Sequence, residues 1–325
     1  MLSLEEKKLI IKICKLYYFE AWTQEKIATK IGVSRPVISK LLQKARDEGV
    51  VEIIIHDDTI NTSDLEQEIE RAFQLDEVVV VPTRDMTDEL MYSQVARAAA
   101  AYVLKNLKNV KRIGVSWGTT LFHLVKEFPY EDREDIKVIP LVGGMGTNRI
   151  EIHSNQIAYE LSKKLNGKCE SLYAPAIVET EDLKERMLEL SNIASVLEEG
   201  YQSDLAIVGI GTPFASSTME KIGYIDQDVI NELRAGEAVG DINSRFIDKD
   251  GKLAEHPINN KVIGMELERL KSIKNVVGIA AGSHKTESVL ATLKGGYLKV
   301  LITDEQTASE LVNRINESAA NEVTV

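Results

Sequence analysis

The chain has 325 residues, 44% of them hydrophobic and 28% charged, with a net charge of −12; that is apolar material enough for two folded domains and excludes a disordered chain. Two distant cysteines, Cys14 and Cys169, and five scattered histidines exclude a disulfide framework and the usual zinc spacings. No run of about 18 apolar residues occurs, and the opening MLSLEEKKLI mixes acids with bases, so a cytoplasmic protein with no metal, no cofactor and no membrane partner is expected.

The acidic average hides an asymmetry. Through His56 there are 10 basic and 7 acidic residues, against 29 and 44 in the remainder. Only the basic head carries the sign that DNA phosphates attract, which points to separate tasks for the two parts.

Residues 4–19 place Leu9, Ile13 and Leu16 at helical spacing, which predicts one amphipathic helix. In the following WTQEKIATKIGVSRPVISKLLQKARDEGVVEIIIH, Thr23 caps a short helix carrying Ile27 and Ala28. Gly32 ends it, and a second helix starts at Ser34 with Pro36 in its first turn. Val37, Leu41 and Ala45 repeat at four-residue intervals and are expected to pack the second helix on the first. This is a helix-turn-helix pattern. The opposite face of the second helix then offers Ser34, Arg35, Ser39, Lys40, Gln43 and Arg46 to DNA. Arg35 and Ser39 are placed to reach base edges, with Ser34 on base or phosphate, and Lys40, Gln43 and Lys44 on the backbone.

VVEIIIH is β-branched and predicts the wing of a winged domain. DDTINTSD breaks the pattern, and Ser63 with Glu66 reads as a capping box. The predicted organisation is a DNA-binding domain over 1–56, a linker over 57–62 and a second domain over 63–325.

From residue 76, β-rich runs alternate with amphipathic helices: DEVVVVP, VKRIGVS, IKVIPLV, ESLYAP, DLAIVGI, NVVGIAA and LKVLIT are the expected strands. The alternation predicts an α/β, Rossmann-like parallel sheet covered on both faces. Ligands bind such sheets beyond the strands' carboxyl ends. The segments there read WGTT, GGMGTN, GTP, GD-INSRFID and GSHK. Glycines permit close backbone approach, helix starts present free N–H groups, and Lys285, Arg245, Thr119, Thr120 and Thr212 add charge and hydroxyls. A sugar phosphate fits this chemistry best. Trp117, beside a strand end, reads as a packing residue before a stacking one.

TQEKIATKIGVSRPVISKLLQKARDEGVVEI, GVSWGTTL, HSNQIA, VGIGTP, GDINSRFIDKDG and AGSHKTESVLATLKGGYLKVLITDE occur in an order that resembles, over essentially the full length, the SorC family of sugar-responsive bacterial transcription regulators within the wider DeoR group. The resemblance implies an effector domain similar to the sugar-phosphate isomerase and deaminase folds, binding a phosphorylated sugar or sugar alcohol without converting it. It implies a homodimer or homotetramer on paired operator half-sites, more often a repressor. It also implies that Gly118, Thr119 and Thr120 lie at the phosphate or sugar end, Asp241 and Arg245 contact polar ligand groups, Lys285 pairs with phosphate, and Gly211 and Thr212 form a wall. Two positions depart from the family pattern: Ser283, and Asn243–Ser244 where a glycine is frequent. The alternative is a sugar-phosphate isomerase or deaminase with an appended DNA-binding domain, which leaves the helix-turn-helix without a purpose.

Overall fold

The computed structural model describes residues 4–51, 62–146, 148–214 and 217–323. The chain divides into two compact units, Met1–Asp58 and Thr59–Val325.

The first unit contains α1 (Leu4–Cys14), a π-helical turn over Lys15–Phe19, α2 (Gln24–Ile31) and α3 (Arg35–Asp47). Thr23 caps α2 by accepting from the Lys26 N–H at 3.2 Å, and Gly32 ends it in the left-handed region at φ 79°. Only three residues then separate α2 from α3. The core comprises Ile10, Ile13, Cys14, Leu16, Ile27, Ala28, Ile38, Leu42 and Ala45. Ala45 is buried as expected, but Ile38 and Leu42 replace Val37 and Leu41 as the other core positions of α3, Val37 being 40% exposed; on α1, Leu9 is 37% exposed. Four-residue spacing fits either stripe, and the packing against α1 and α2 selects the Ile38 one. Residues 52–56 of the expected wing lie outside the described residues.

The second unit begins with α4 (Thr62–Phe73) and β1 (Glu77–Val81), followed by α5 (Asp88–Lys105), β2 (Arg112–Val115), α6 (Thr119–Glu127) and β3 (Lys137–Pro140). Next come α7 (Ser154–Lys164), β4 (Lys168–Cys169), α8 (Glu181–Leu188), α9 (Ser191–Tyr201), β5 (Leu205–Gly211), α10 (Thr218–Ile222) and α11 (Gln227–Ala235). The chain continues through β6 (Ala238–Ile242), β7 (Arg245–Asp248), α12 (Leu267–Lys271), β8 (Asn275–Ile279), α13 (Thr286–Lys294), β9 (Val300–Asp304) and α14 (Glu305–Val323).

The sheet runs β1-β9-β8-β5-β2-β3-β4, with every neighbour along this path parallel. Alternation along β5 supplies both of its faces. Leu205 and Ile207 join a cluster with Val95, Val103, Leu124 and Leu161 of α5, α6 and α7. Ala206, Val208 and Ile210 join one with Ile69, Val289, Leu311 and Val312 of α4, α13 and α14. Burial on both faces explains why these strands read as unbroken apolar runs.

β1 is an edge strand, and α4 satisfies its free side. Val78 N–H donates to Glu70 Oε1 at 2.8 Å and Val80 N–H to Glu66 Oε1 at 2.9 Å. Glu66 thus serves the strand edge and not the expected capping box, since the helix is already running at Thr62. Two strand expectations also change. ESLYAP gives way to the two-residue β4 just before it, because Asn155 of α7 accepts from Leu172 N–H and donates to Leu172 O, holding that stretch off the ladder. GD-INSRFID is no simple loop: β6 and β7 form an antiparallel hairpin, and β6 pairs with the end of β5.

If Ile38 anchors the first unit, Ile38→Ala should cost about 2–5 kcal/mol of stability and Val37→Ala under about 1 kcal/mol. Denaturation followed by Trp22 fluorescence in a Trp117→Phe background measures both.

Candidate functional site

Strands β2, β3 and β4 progress outward on one side of the sheet, and β5, β8 and β9 on the other. The order therefore reverses between β2 and β5, and the chains leaving these two strands diverge to open a crevice. A cavity of about 300 Å³ lies there, lined by Ser116–Thr120 after β2, Gly209–Thr212 at the end of β5, Asp241 and Asn243 of the hairpin, and His284–Lys285 before α13.

Each wall has a local cause. Ser116 Oγ accepts from Gly209 N–H at 3.1 Å, tying the two strand ends together. Gly118 sits at φ 116°, ψ 173°, a conformation open essentially to glycine alone, and this turns the chain into α6. The first-turn amides from Thr119 to Leu121 have no intrahelical carbonyl, so the start of α6 offers N–H donors and a positive dipole end to an anion.

Gly211 pairs with Asp241 across the β5–β6 ladder. A Cβ at Gly211 would stand 2.0 Å from Asp241 Oδ1. The missing side chain is the space that the carboxylate occupies.

Asp241 is only 8% exposed, and Lys285 is half-buried in a 3₁₀ turn over Ser283–Lys285. Lys285 Nζ donates to Thr120 Oγ1 at 3.5 Å and lies 6.0 Å from the Tyr92 ring centre. Burial pushes the Asp241 carboxyl up to about 7, against the opposing pull of Lys285. Burial likewise pushes the Lys285 amine down to about 8, against Asp241 and Asp304. Each group is the other's counter-charge in a poorly hydrated site, so both can change protonation near neutral pH.

Trp117 is buried and donates from Nε1 to Ser244 Oγ at 2.8 Å, with its ring stacked on His153 at 6.4 Å. It pins the loop after β2 to the turn of the β6–β7 hairpin. The packing expectation describes it, although it also forms part of the cavity wall.

Of the residues singled out from sequence, Gly118, Thr119, Thr120, Gly211, Thr212, Asp241 and Lys285 meet around this cavity, and Arg245 does not. Arg245 is 5% exposed and donates to the carbonyls of Met265 at 3.2 Å, Asn259 at 2.9 Å and Gly264 at 3.2 Å. The reason is strand alternation. Arg245 stands opposite Ile242, one step along from Asp241, and so occupies the other face of the hairpin. The cavity also draws on Asp88 and Tyr92 of α5, Arg149 and Lys221, which sequence reasoning does not reach, and on Asn243, which it notes only as a departure from the family pattern. Arg149 directly follows the GGMGTN segment after β3, and Lys221 lies eight residues beyond the GTP segment after β5, within α10.

Ser34, at the N-cap of α3, is exposed, as are Arg35, Ser39, Lys40 and Gln43 on the helix, with Arg35 at its amino end. Lys44 differs from the expectation: it is half-buried and paired with Glu6 of α1 at 2.6 Å, so its charge is engaged inside the unit. Gln43 donates to Asp47 Oδ1 at 2.8 Å and accepts from Arg46. Val37 adds an apolar contact surface to the same helix.

Among the described residues no group of His, Cys, Asp and Glu could hold a metal ion, and no helix is long and apolar enough to cross a membrane.

A cavity at the order reversal of a parallel sheet, with a helix start, hydroxyls and a buried amine, defines an α/β domain that binds small polar molecules. The Sugar-bind family model, a sugar-binding domain, matches residues 57–313, and the chain belongs to that family, which is of the SorC/DeoR type. It is 30% identical to the deoxyribonucleoside regulator of Bacillus subtilis over 95% of this chain and 98% of that protein. It is 29% identical to the sorbitol operon regulator of Klebsiella pneumoniae, again over 95% and 98%. Among solved structures, a DeoR family transcriptional regulator from Listeria monocytogenes is 44% identical with a TM-score of 0.73, covering 77% of this chain and 99% of that one. The full-length sorbitol operon regulator of K. pneumoniae superposes with a TM-score of 0.72 over 95% and 99%. These relatives are transcription regulators and not enzymes.

The shifted Asp241 gives a pH prediction. Between about pH 4 and 7 the folded state holds a proton that the unfolded chain releases, so stability falls as pH rises through this window. Asp241→Asn, which needs no proton, should raise Tm relative to the parent at pH 8, and the difference should shrink toward pH 4. Thermal melts across that range check it.

Proposed function

We propose that the chain is a transcription regulator of a carbohydrate-utilisation operon, more often a repressor, whose operator affinity is set by a phosphorylated sugar or sugar alcohol. In this reading α2 and α3 are a helix-turn-helix, part of a winged domain, that inserts α3 in the major groove. Arg35 and Ser39 read base edges, Ser34 contacts base or phosphate, and Lys40 and Gln43 hold the backbone. The observation that carries the effector half is the convergence around one cavity of about 300 Å³ of seven residues expected from sequence, four by type and position (Thr119, Thr120, Thr212 and Lys285) and three through the family resemblance (Gly118, Gly211 and Asp241). That volume is small for a drug-sized ligand and suits a compact one such as a sugar phosphate.

The chemistry follows from the walls. The amides at the start of α6, with Thr119, Thr120 and Lys285, hold the phosphate; Asp241 and the polar wall at Thr212 take sugar hydroxyls. No cofactor is needed. The effector acts through different affinities for the DNA-bound and free conformations. A homodimer or homotetramer, working in the cytoplasm, supplies the paired heads that symmetric operator half-sites require. Relatives named for sorbitol and deoxyribonucleosides support the sugar class without fixing the particular sugar.

The test is a gel shift on duplexes selected from a random pool by the full chain, repeated with a panel of sugar phosphates. At least one should change the affinity tenfold or more; if none does, and none raises the Tm of the protein, the effector reading fails. Turnover of any sugar in the panel would instead favour an enzyme. Arg35→Ala with Lys40→Ala should weaken DNA binding by at least about tenfold and flatten its salt dependence, leaving the effector-induced Tm shift in place. Lys285→Ala should do the reverse, binding DNA normally without responding to the effector.

A further inference from the structure

Asp304 ends β9 and is fully buried. Its Oδ1 accepts from Thr307 N–H at 3.0 Å and its Oδ2 from the Thr307 hydroxyl at 2.6 Å, which caps the start of α14. Oδ2 also accepts from Gly282 N–H at 2.7 Å. That third bond reaches out of the helix into the turn that carries Lys285.

A cap alone has no need of an acid here, since Ser or Asn would also accept from Thr307 N–H. A buried carboxylate is costly unless a positive charge is near, and among the described residues no cation pairs with Asp304 within 4 Å. The positive groups whose charge it favours are Lys285 and its neighbour His284. The turn itself is set by Gly282 at φ 99°, where Lys285 N–H donates to Gly282 O at 3.0 Å. Its far end is held by Thr286 Oγ1, which donates to Glu310 Oε2 of α14 at 2.8 Å.

We propose that Asp304 is a positioning residue of the effector site: it fixes the Gly282–Lys285 turn through Gly282 N–H, and its charge keeps the Lys285 amine cationic and able to hold an anion. The assignment rests on the reading of the cavity as an anion-binding effector site. The groups facing Lys285 are Asp241 from β6, Thr120 from α6, the Tyr92 ring from α5 and Asp304 from β9. Asp88, Arg149, Lys221 and His284 line the same cavity. Asp241 also faces the ligand, so its charge is drawn into ligand contacts. Asp304, bonded on both oxygens to Gly282 and Thr307, is held in place within the protein and takes no part in the cavity wall.

The experiment uses the full chain with its lysines ¹³C-dimethylated, the Lys285 signal being identified by its loss in Lys285→Arg. In Asp304→Asn its titration midpoint should fall by about one pH unit, a tenfold change in proton affinity. In Thr307→Val, which loosens the cap but retains the charge, the midpoint should stay. Asp304→Ser keeps a capping oxygen and carries the same expectation as Asp304→Asn should the latter fail to fold. In parallel, inorganic phosphate and the sugar-phosphate panel are titrated by calorimetry. Affinity in Asp304→Asn should drop about tenfold at pH 8.5 and recover at pH 6.5, where the amine is protonated in both proteins. An unchanged midpoint, an equal shift in Thr307→Val, or a loss of affinity that does not recover at pH 6.5 overturns the assignment. If no phosphate compound binds the parent, the effector reading fails, and the midpoint still decides the role of Asp304.

Discussion

Parallel pairing of β2 with β5 places two strands that are far apart in sequence side by side, with their successors leaving in opposite directions. No turn chemistry could produce the resulting crevice, because it follows from strand order. The Ser116–Gly209 bond closes its floor, Gly118 sets the entry angle of α6, and Gly211 leaves room for a carboxylate from the hairpin. Were β5 to add on the far side of β4 instead, the same loops would be scattered along an edge and none of their polar groups would meet.

Within that crevice the chemistry is a balance of desolvation and pairing. Asp241 and Lys285 each lose hydration, and each offsets part of the other's cost, which leaves both short of their ordinary charge states. An anionic ligand adds a second negative partner for the amine, while neutral hydroxyls suit a carboxyl that is partly protonated. These are the electrostatics on which the proposed phosphorylated effector rests. The glycines at 118 and 211 matter because they let backbone and carboxylate come close without a side chain between them.

Much of this was legible in the sequence. Val78–Val81, Ile113–Val115 and Ala206–Ile210 are β-branched or apolar runs between helices, and burial on two faces leaves no other reading for them. The loops after β2 and β5 were legible because a strand followed by Gly and Thr before a new helix has few other uses. What escaped was set by pairing across the chain. The β6–β7 hairpin turns on Asn243 and Ser244, both at positive φ, and Asn-Ser is a weaker signal for such a turn than Asn-Gly. The face of Arg245 depends on that hairpin, whose ladder sets it opposite Ile242, and residue type alone places it with the ligand instead. Lys44 escaped because its partner, Glu6, lies on another helix. On α3 a four-residue repeat described two neighbouring stripes equally well, and only the packing of α1 decided between Leu41 and Leu42.

The helix that begins beside Asp304 has a further consequence. Helix α14 touches the cavity turn at its first residues, and along its length Ala308, Leu311 and Val312 pack in one apolar cluster with Ile69 of α4. α4 is the first described helix after the basic head. One helix therefore carries both the first residues bonded to the Asp304 cap and the apolar face that covers α4, so the packing of the ligand-side turn and the packing of α4 are set by a single element.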